Sequence, residues 1–208
     1  MKKFSKVLVS MLLVAGIFTL SGCGSKKEEK KGVDISYVNG KGTFTLTVPK
    51  DAEGNAKYQF TTTKPEGSKR NATFYLETDN VVFAFSNSGL VYNTSKDYKA
   101  KYGDTKATFD GYLEFMDDES ISSRPKLAGI ERFEINGRKA IRYYNRTGGS
   151  GQYEYFGYNY AMAVDDIYPG SKTEFTVYYK TTEKLSEAKE YDQETLDIIN
   201  SLKVTLNQ

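Results

Sequence analysis

Beyond position 33, the chain alternates apolar and polar residues over short stretches, which is typical of half-buried β-strands. Two dipeptides interrupt this alternation, Asn39-Gly40 and Asn136-Gly137, and Asn-Gly is favoured in two-residue hairpin turns. The pattern predicts strands over Ile35 to Val48 on both sides of the first turn, Tyr58 to Thr62, Ala72 to Thr78, Val81 to Phe85, Ile130 to Ile135, Lys139 to Tyr144, Tyr153 to Val164 and Glu174 to Lys180. Hairpin connections make such strands antiparallel.

Two stretches have helical spacing instead. Apolar residues at i, i+3, i+4 and i+7 predict a helix over Thr108 to Met116, with Thr108 as its N-cap. A second helix is predicted over Asp192 to Lys203, where leucines and isoleucines form one stripe after an Asp192 N-cap. Hairpins with helices between and after them predict an antiparallel α+β protein.

The predicted strand Tyr153 to Val164 carries apolar side chains on both faces. Phe156, Tyr158, Tyr160, Met162 and Val164 share one face, while alanines and further tyrosines share the other. A strand of this kind predicts a sheet that is covered on both sides. The expected architecture is therefore an α/β/α sandwich, with helices on both faces of the antiparallel sheet.

The first 22 residues have the three parts of a secretory signal. Lys2, Lys3 and Lys6 give a positive start, and Val7 to Leu20 is apolar except for Ser10 and Thr19. This stretch is shorter than the roughly 20 residues of a membrane-spanning helix. It closes with Leu-Ser-Gly before Cys23, which resembles the lipobox of bacterial lipoproteins.

In that family, the thiol at the position of Cys23 receives a diacylglyceryl group, and the signal is cut just before it. The resemblance implies that residues 1–22 are removed and that Cys23 is lipidated. Residues 23–32 are then the lipidated cysteine and a flexible charged tether, because Gly24 to Gly32 has no apolar residue. Residues 33–208 are expected to be a single domain, since they contain no internal repeat and no long Pro or Ser tract. The resemblance also implies attachment to the cell membrane, on its extracytoplasmic face, through the lipid. The alternatives are an ordinary secreted protein with an unused cysteine, or an anchor helix that is never cut.

Three stretches of the domain resemble the PsbP-like fold. They are GTFTLTVPKD (Gly42 to Asp51), EINGRKAIRYY (Glu134 to Tyr144) and ETLDIINSLKV (Glu194 to Val204). In that family a first hairpin ends at Val-Pro, a central hairpin carries Asn-Gly-x-x-Ala, and a last helix ends in Ser-Leu-Lys. The family includes extrinsic photosystem subunits, a nuclear-transport binder and bacterial lipoproteins. A fold does not by itself specify a function. What the resemblance to these members implies is partner binding without catalysis.

Charge argues against a nucleic-acid partner. The chain has 29 basic and 27 acidic residues, but three of the lysines belong to the predicted signal. Four more lysines lie in the tether with two glutamates, so the domain itself is mildly acidic. Binders of nucleic acid have clustered Lys and Arg on a basic domain.

Catalytic chemistry has few candidates, because the chain has no histidine and Cys23 is its sole cysteine. Ser123-Arg-Pro-Lys126 fits the Ser-x-x-Lys motif of penicillin-binding enzymes but lacks the other motifs of that class, so a turn is expected. Solvated charge is the expected role of two acidic groups, Asp117-Asp118-Glu119 and Asp165-Asp166. Thr147 to Gly151 lacks the end of a phosphate loop and reads as a connection. No cofactor or metal site is predicted.

Tyrosines are the remaining candidates, since the chain has 17 of them and no tryptophan. Tyr143, Tyr153 and Tyr155, beside the glycine-rich turn, are a candidate partner-binding patch, and packing in the sheet is their ordinary role. The expected function is a non-catalytic binding or structural module for an envelope protein or polymer. The alternatives are an envelope hydrolase that uses a pair of carboxylates, and a small solute-binding lipoprotein.

Overall fold

The computed structural model of the chain describes residues 32–66, 68, 70–90, 108–119, 129–144, 157–180 and 190–207. Lys31–Gln208 form one compact unit. Its described strands and helices are β1 (Val33–Asn39), β2 (Gly42–Val48), β3 (Phe60–Thr61), β4 (Phe74–Glu77), β5 (Val81–Gly89), α1 (Phe109–Asp117), β6 (Glu131–Ile135), β7 (Arg138–Tyr144), β8 (Gly157–Ala163), β9 (Ser171–Tyr179), α2 (Gln193–Asn200) and β10 (Lys203–Leu206).

The described strands form two antiparallel sheets. Seven of them make a large sheet in the order β3-β4-β5-β9-β8-β7-β6, and β1, β2 and β10 make a small sheet with β2 in the middle. Both predicted Asn-Gly hairpins are present, as β1-β2 and β6-β7. Asn136 takes the positive φ of 47° that such a turn requires. Its side-chain amide also donates to the carbonyl oxygens of Asn200 and Leu202, at 2.9 Å each, so the turn is tied to the end of α2.

The first face of the large sheet holds a row of stacked aromatic rings, here called the aromatic ladder. Phe74, Phe85, Phe175 and Tyr160 lie opposite one another on β4, β5, β9 and β8. Their successive ring centroids are 4.9, 5.2 and 4.6 Å apart, with the planes tilted by 5°, 27° and 3°. All four side chains are buried, and offset stacking adds to the free energy that burial of the rings already gives.

The two helices contribute to different clusters of apolar side chains. Ile198 and Ile199 of α2 pack in the main core with the small sheet and the aromatic ladder. Phe109, Tyr112, Phe115 and Met116 of α1 pack with Ile141 and Ala161, which point to the second face of the large sheet. The predicted N-caps are present, since Thr108 Oγ1 accepts from Gly111 N and Asp192 Oδ1 accepts from Thr195 N. The described residues thus form antiparallel sheets with two helices, which agrees with the predicted antiparallel α+β class.

The predicted bounds of the last helix are wrong. Helix α2 ends at Asn200, and Lys203–Leu206 form strand β10 instead of a final helical turn. The reason lies in β2, whose second edge pairs with β10 and places Val204 opposite Phe44 in the core. Strand pairing satisfies backbone groups along β2 that an additional helical turn would leave without partners. Strand β9 also begins earlier than predicted, at Ser171.

We expect Phe85→Ala to lower the free energy of unfolding by about 3–5 kcal/mol, because it removes a fully buried ring from the middle of the aromatic ladder. Urea denaturation of the variant and the wild type measures the difference. Val38→Ala is the control, since Val38 is 63% exposed and its change is expected to stay within about 0.5 kcal/mol. A loss below about 1 kcal/mol for Phe85→Ala would show that the ladder is not part of the core.

Candidate functional site

A polar pocket of about 210 Å³ lies on the second face of the large sheet, behind the aromatic ladder. We call it the sheet pocket. It is lined by Arg70, Asn71, Ala84, Ser86, Tyr143, Asn159, Glu174, Phe175 and Thr176. Most ligand pockets are larger, at roughly 300–1,000 Å³, and mostly apolar. A small polar pocket therefore suits a small polar ligand.

The floor of the pocket is a row of side chains from four adjacent strands. Ala84 pairs with Thr176, Thr176 with Asn159, and Asn159 with Tyr143. Side chains directly opposite one another in a sheet lie about 4.5–5.5 Å apart at Cβ, so three polar groups meet here. Each is held by a central strand of the sheet, which gives the site a rigid base.

Asn159 has a fixed amide orientation. Its Oδ1 accepts hydrogen bonds from Arg70 Nη2 at 3.2 Å and from Thr176 Oγ1 at 2.7 Å. A guanidinium can only donate, so the amide oxygen has to face Arg70. The Nδ2 group of Asn159 therefore points away from these two partners, and it donates to no residue in the described part of the chain.

Tyr143 lies at one end of this row of side chains, under the influence of two opposite charges. Burial raises the pKa of its phenol to about 12, the carboxylate of Glu174 contributes to the increase, and the guanidinium of Arg70 opposes it. At neutral pH the hydroxyl is therefore protonated and can donate a hydrogen bond. Within the described ranges, Tyr143 Oη makes no hydrogen bond to another residue.

Glu174 is paired with a buried lysine. Its Oε1 lies 2.8 Å from Lys172 Nζ, whose side chain is 2% exposed, and Nζ also donates to Ser88 Oγ at 3.0 Å. The same ammonium lies 5.1 Å from the ring centre of Tyr112 on α1. Burial raises the pKa of Tyr112, with smaller contributions from Tyr143 and Glu174. These contacts join helix α1 electrostatically to the pocket.

Several residues singled out in the sequence lie outside the described residues: Cys23, Ser123 to Lys126, Thr147 to Gly151, Tyr153 and Tyr155. Of the predicted tyrosine patch, the structure therefore describes Tyr143 alone, which is half-buried and lines the sheet pocket. The patch itself stays a prediction.

The two acidic groups lie in ion pairs and caps. Asp117 accepts from Arg132 Nη2 at 2.6 Å, and Asp165 Oδ2 accepts from the backbone nitrogen of Phe109 at the start of α1. Asp166 pairs with Arg138, and this hydrogen bond holds its pKa below the ordinary value. Among the residues that the structure describes, no three acidic side chains are placed to hold a metal ion.

Sequence reasoning missed most of the pocket. Arg70, Asn159, Glu174 and Thr176 were not among the predicted site residues, although one signal was available. Asn159 is an amide in a strand whose other residues are tyrosine, glycine, alanine and methionine. Such a side chain in a covered sheet needs hydrogen-bond partners, so it marks a polar site.

Chemically, the pocket offers hydrogen-bond donors around one carboxyl group. Glu174 is its one acidic lining residue. Hydrolysis of a glycosidic bond by paired carboxylates needs two such groups about 5–9.5 Å apart. The described lining of the pocket therefore lacks the second carboxyl group of such a pair.

Comparison with known proteins leaves the family open. No protein-family model matches the chain, and no curated protein matches it. The chain is similar to the solution structure of cyanobacterial PsbP (CyanoP) from Synechocystis sp. PCC 6803, with 14% identity and a TM-score of 0.38 over 89% of this chain and 99% of that one. A likeness at this TM-score carries no argument about function. In the described part of the chain, neither helix combines the length and apolar character needed to cross a membrane.

We expect Glu174→Gln to lower the pKa values of Tyr143 and Tyr112, because it removes a negative charge that disfavours both phenolates. An ordinary tyrosine has a pKa near 10, so the raised value of about 12 for Tyr143 gives stability that is fully present below about pH 10 and is lost as the pH rises towards 12. Because Glu174→Gln lowers the raised pKa of Tyr143, the pH range over which this stability is lost becomes narrower. Tyrosine ring carbon shifts, followed by NMR against pH, measure both phenols.

Glu77→Gln is the matched control for this titration. Glu77 lies on β4 and pairs with Lys180, and it does not contribute to the pKa of either phenol. Unchanged titration of Tyr143 in Glu174→Gln, or an equal change in Glu77→Gln, would contradict the described placement of Glu174.

Proposed function

We propose that the protein is an extracytoplasmic lipoprotein, anchored by lipid on Cys23, whose domain of residues 33–208 is a non-catalytic binding module. The observation that carries the binding role is the sheet pocket, where Arg70, Tyr143 and Asn159 converge on a floor built from central strands. Convergent polar groups in a preformed pocket are the general signature of a binding site. We also propose that the domain has the PsbP-like fold that its three motifs resemble. In this α/β/α arrangement, α1 and α2 lie on opposite faces of the large sheet.

The anchor rests on the sequence around Cys23. A single acyl chain gives marginal membrane binding, whereas the two chains of a diacylglyceryl group hold a protein stably. The tether Gly24 to Gly32 has no apolar side chain and contains four lysines. Each lysine near an anionic surface adds about 1 kcal/mol of attraction, so the tether supports the lipid without replacing it.

We further propose that the natural partner of the domain is an envelope protein or polymer. A pull-down compares the acylated protein, in its own membranes, with a version that carries residues 1–32 alone. We expect a partner that is enriched by the domain and lost with Asn159→Asp. Equal recovery by the domain and by the tether alone would contradict a binding module.

We predict that Cys23→Ala moves the protein from the membrane pellet to the soluble fraction without unfolding it, because residue 23 lies before the compact unit Lys31–Gln208. Ultracentrifugation of lysed cells with immunoblotting gives the distribution, and circular dichroism of the soluble protein gives the fold. Ser25→Ala, two residues further on in the tether, is the matched control and is expected to stay in the pellet. Retention of Cys23→Ala in the pellet would overturn the lipid anchor.

A further inference from the structure

The sheet pocket offers an acceptor as well as donors. Glu174 uses its Oε1 for Lys172 at 2.8 Å, and within the described part of the chain its Oε2 accepts no hydrogen bond. Tyr143 Oη bonds no described residue, and both N–H groups of Asn159 Nδ2 are left over as donors. A ligand that satisfies all of these groups has to donate hydrogen bonds as well as accept them.

Tyr143 and Glu174 lie on either side of strand β8. Asn159 lies opposite Tyr143, and Ala161, two positions further along β8, lies opposite Glu174. Neighbouring strands are about 4.7–4.9 Å apart, so the backbones of β7 and β9 are separated by about 10 Å. The carboxylate of Glu174 raises the pKa of Tyr143 without accepting a hydrogen bond from its hydroxyl. A ligand hydroxyl between the two can accept from Tyr143 and donate to Glu174.

The lining of the pocket carries both signs of charge. An anion would be repelled by Glu174, whose effect on the pKa of Tyr143 is larger than that of Arg70. A cation would instead meet the guanidinium of Arg70 and the ammonium of Lys172, which is paired with Glu174. A neutral ligand meets no charge of its own sign, so a neutral polar group is favoured over an ionised one.

We propose that the sheet pocket binds a neutral sugar ring through hydroxyl groups on adjacent carbon atoms. One hydroxyl accepts from Tyr143 Oη and donates to Glu174 Oε2, and its neighbour accepts from Asn159 Nδ2. Each hydroxyl both donates and accepts, which suits a lining of mixed donors and acceptors. The pocket volume of about 210 Å³ limits the ligand to one ring, such as the terminal unit of an envelope polymer. This inference deepens the proposed binding role and rests on it, since it names the class of ligand.

The test uses the methyl glycosides of glucose, galactose and mannose as probes. Saturation-transfer NMR on the full chain, in a detergent without sugar, gives their affinities, and the ring carbon shift of Tyr143 reports whether they bind in the pocket. We expect at least one glycoside to bind with a Kd of about 10 mM or tighter and to shift this signal. Acetate and acetamide, a small anion and a small neutral amide, are expected to bind at least about tenfold more weakly.

Tyr143→Phe is the diagnostic variant. It removes one donor at nearly constant volume, and this hydroxyl bonds no described residue, so we expect urea denaturation to be unchanged. Binding of the glycoside is expected to weaken by about three- to tenfold, the usual contribution of one neutral hydrogen bond. Tyr37→Phe is the matched control. Tyr37 stacks on Phe74 in the main core, with the ring centroids 4.2 Å apart, so the same change outside the pocket leaves the affinity unchanged.

Glu174→Gln tests the acceptor. It keeps the shape of the side chain but removes its charge, and hydrogen bonds to a charged acceptor are the stronger ones. We expect it to weaken binding of the glycoside by at least about tenfold. The substitution also takes the ion-pair partner from Lys172. If circular dichroism shows that this variant is unfolded, Tyr143→Phe decides the matter by itself.

Three results would overturn the inference: no binding of any glycoside, equal binding by the wild type and Tyr143→Phe, or an equal loss in Tyr143→Phe and Tyr37→Phe. Acetate or acetamide that binds more tightly than every glycoside would overturn the choice of a sugar. Failure here leaves the membrane anchor intact if Cys23→Ala still releases the protein. The pull-down with a tether-only control separately decides whether the domain binds a partner at all.

Discussion

The aromatic ladder fixes the register of β5, β9 and β8, which are three of the four strands that form the floor of the sheet pocket. A slip of one residue along β9 would exchange Phe175 for its polar neighbours and turn the ring to the opposite face. Since the rings of Phe74, Phe85 and Tyr160 are buried in the main core, such a slip would break the stack and bury polar groups. The register that aligns the rings also aligns Ala84 with Thr176 and Thr176 with Asn159, one step away on the other face.

Hydrogen bonds and ion pairs connect several polar residues at and beside the pocket. Strands β8 and β9 lie inside the large sheet, where a polar side chain that packs against neighbours needs hydrogen-bond partners. Thr176 accordingly bonds Asn159, and Lys172 bonds Ser88 and Glu174. These bonds hold the side chains in single orientations. A preorganised site of this kind loses less conformational entropy when a ligand binds.

Local patterns predicted the elements whose causes are local. Two-residue turns and N-caps depend on neighbours in the sequence, and both hairpins and both caps are confirmed at Asn39, Asn136, Thr108 and Asp192. Strand β10 could not be predicted in this way, because its partner β2 lies near the other end of the domain. A helical stripe and a short strand look alike when both are apolar.

The pocket was beyond local reasoning for a related reason. Alternation along one strand predicts which residues share a face, and it correctly separated Tyr158, Tyr160 and Met162 from Ala161. It does not predict which residues of β7 and β9 lie opposite Asn159. It also does not predict that Arg70, from the segment before β4, crosses to the same place. Both facts depend on packing between distant parts of the chain.

The small sheet gives the domain a mechanical asymmetry. Among the described strands, β1 begins at Val33 and pairs with β2, in a hairpin whose far end is the turn between Asn39 and Gly42. A pull at Val33, away from the body of the domain, separates Val33 from Val48 first and then opens the pairs one after another. Strand β2 keeps its pairing with β10 and its side chains in the core while this happens. Such a load peels away an edge strand and leaves the large sheet, with its pocket, in one piece.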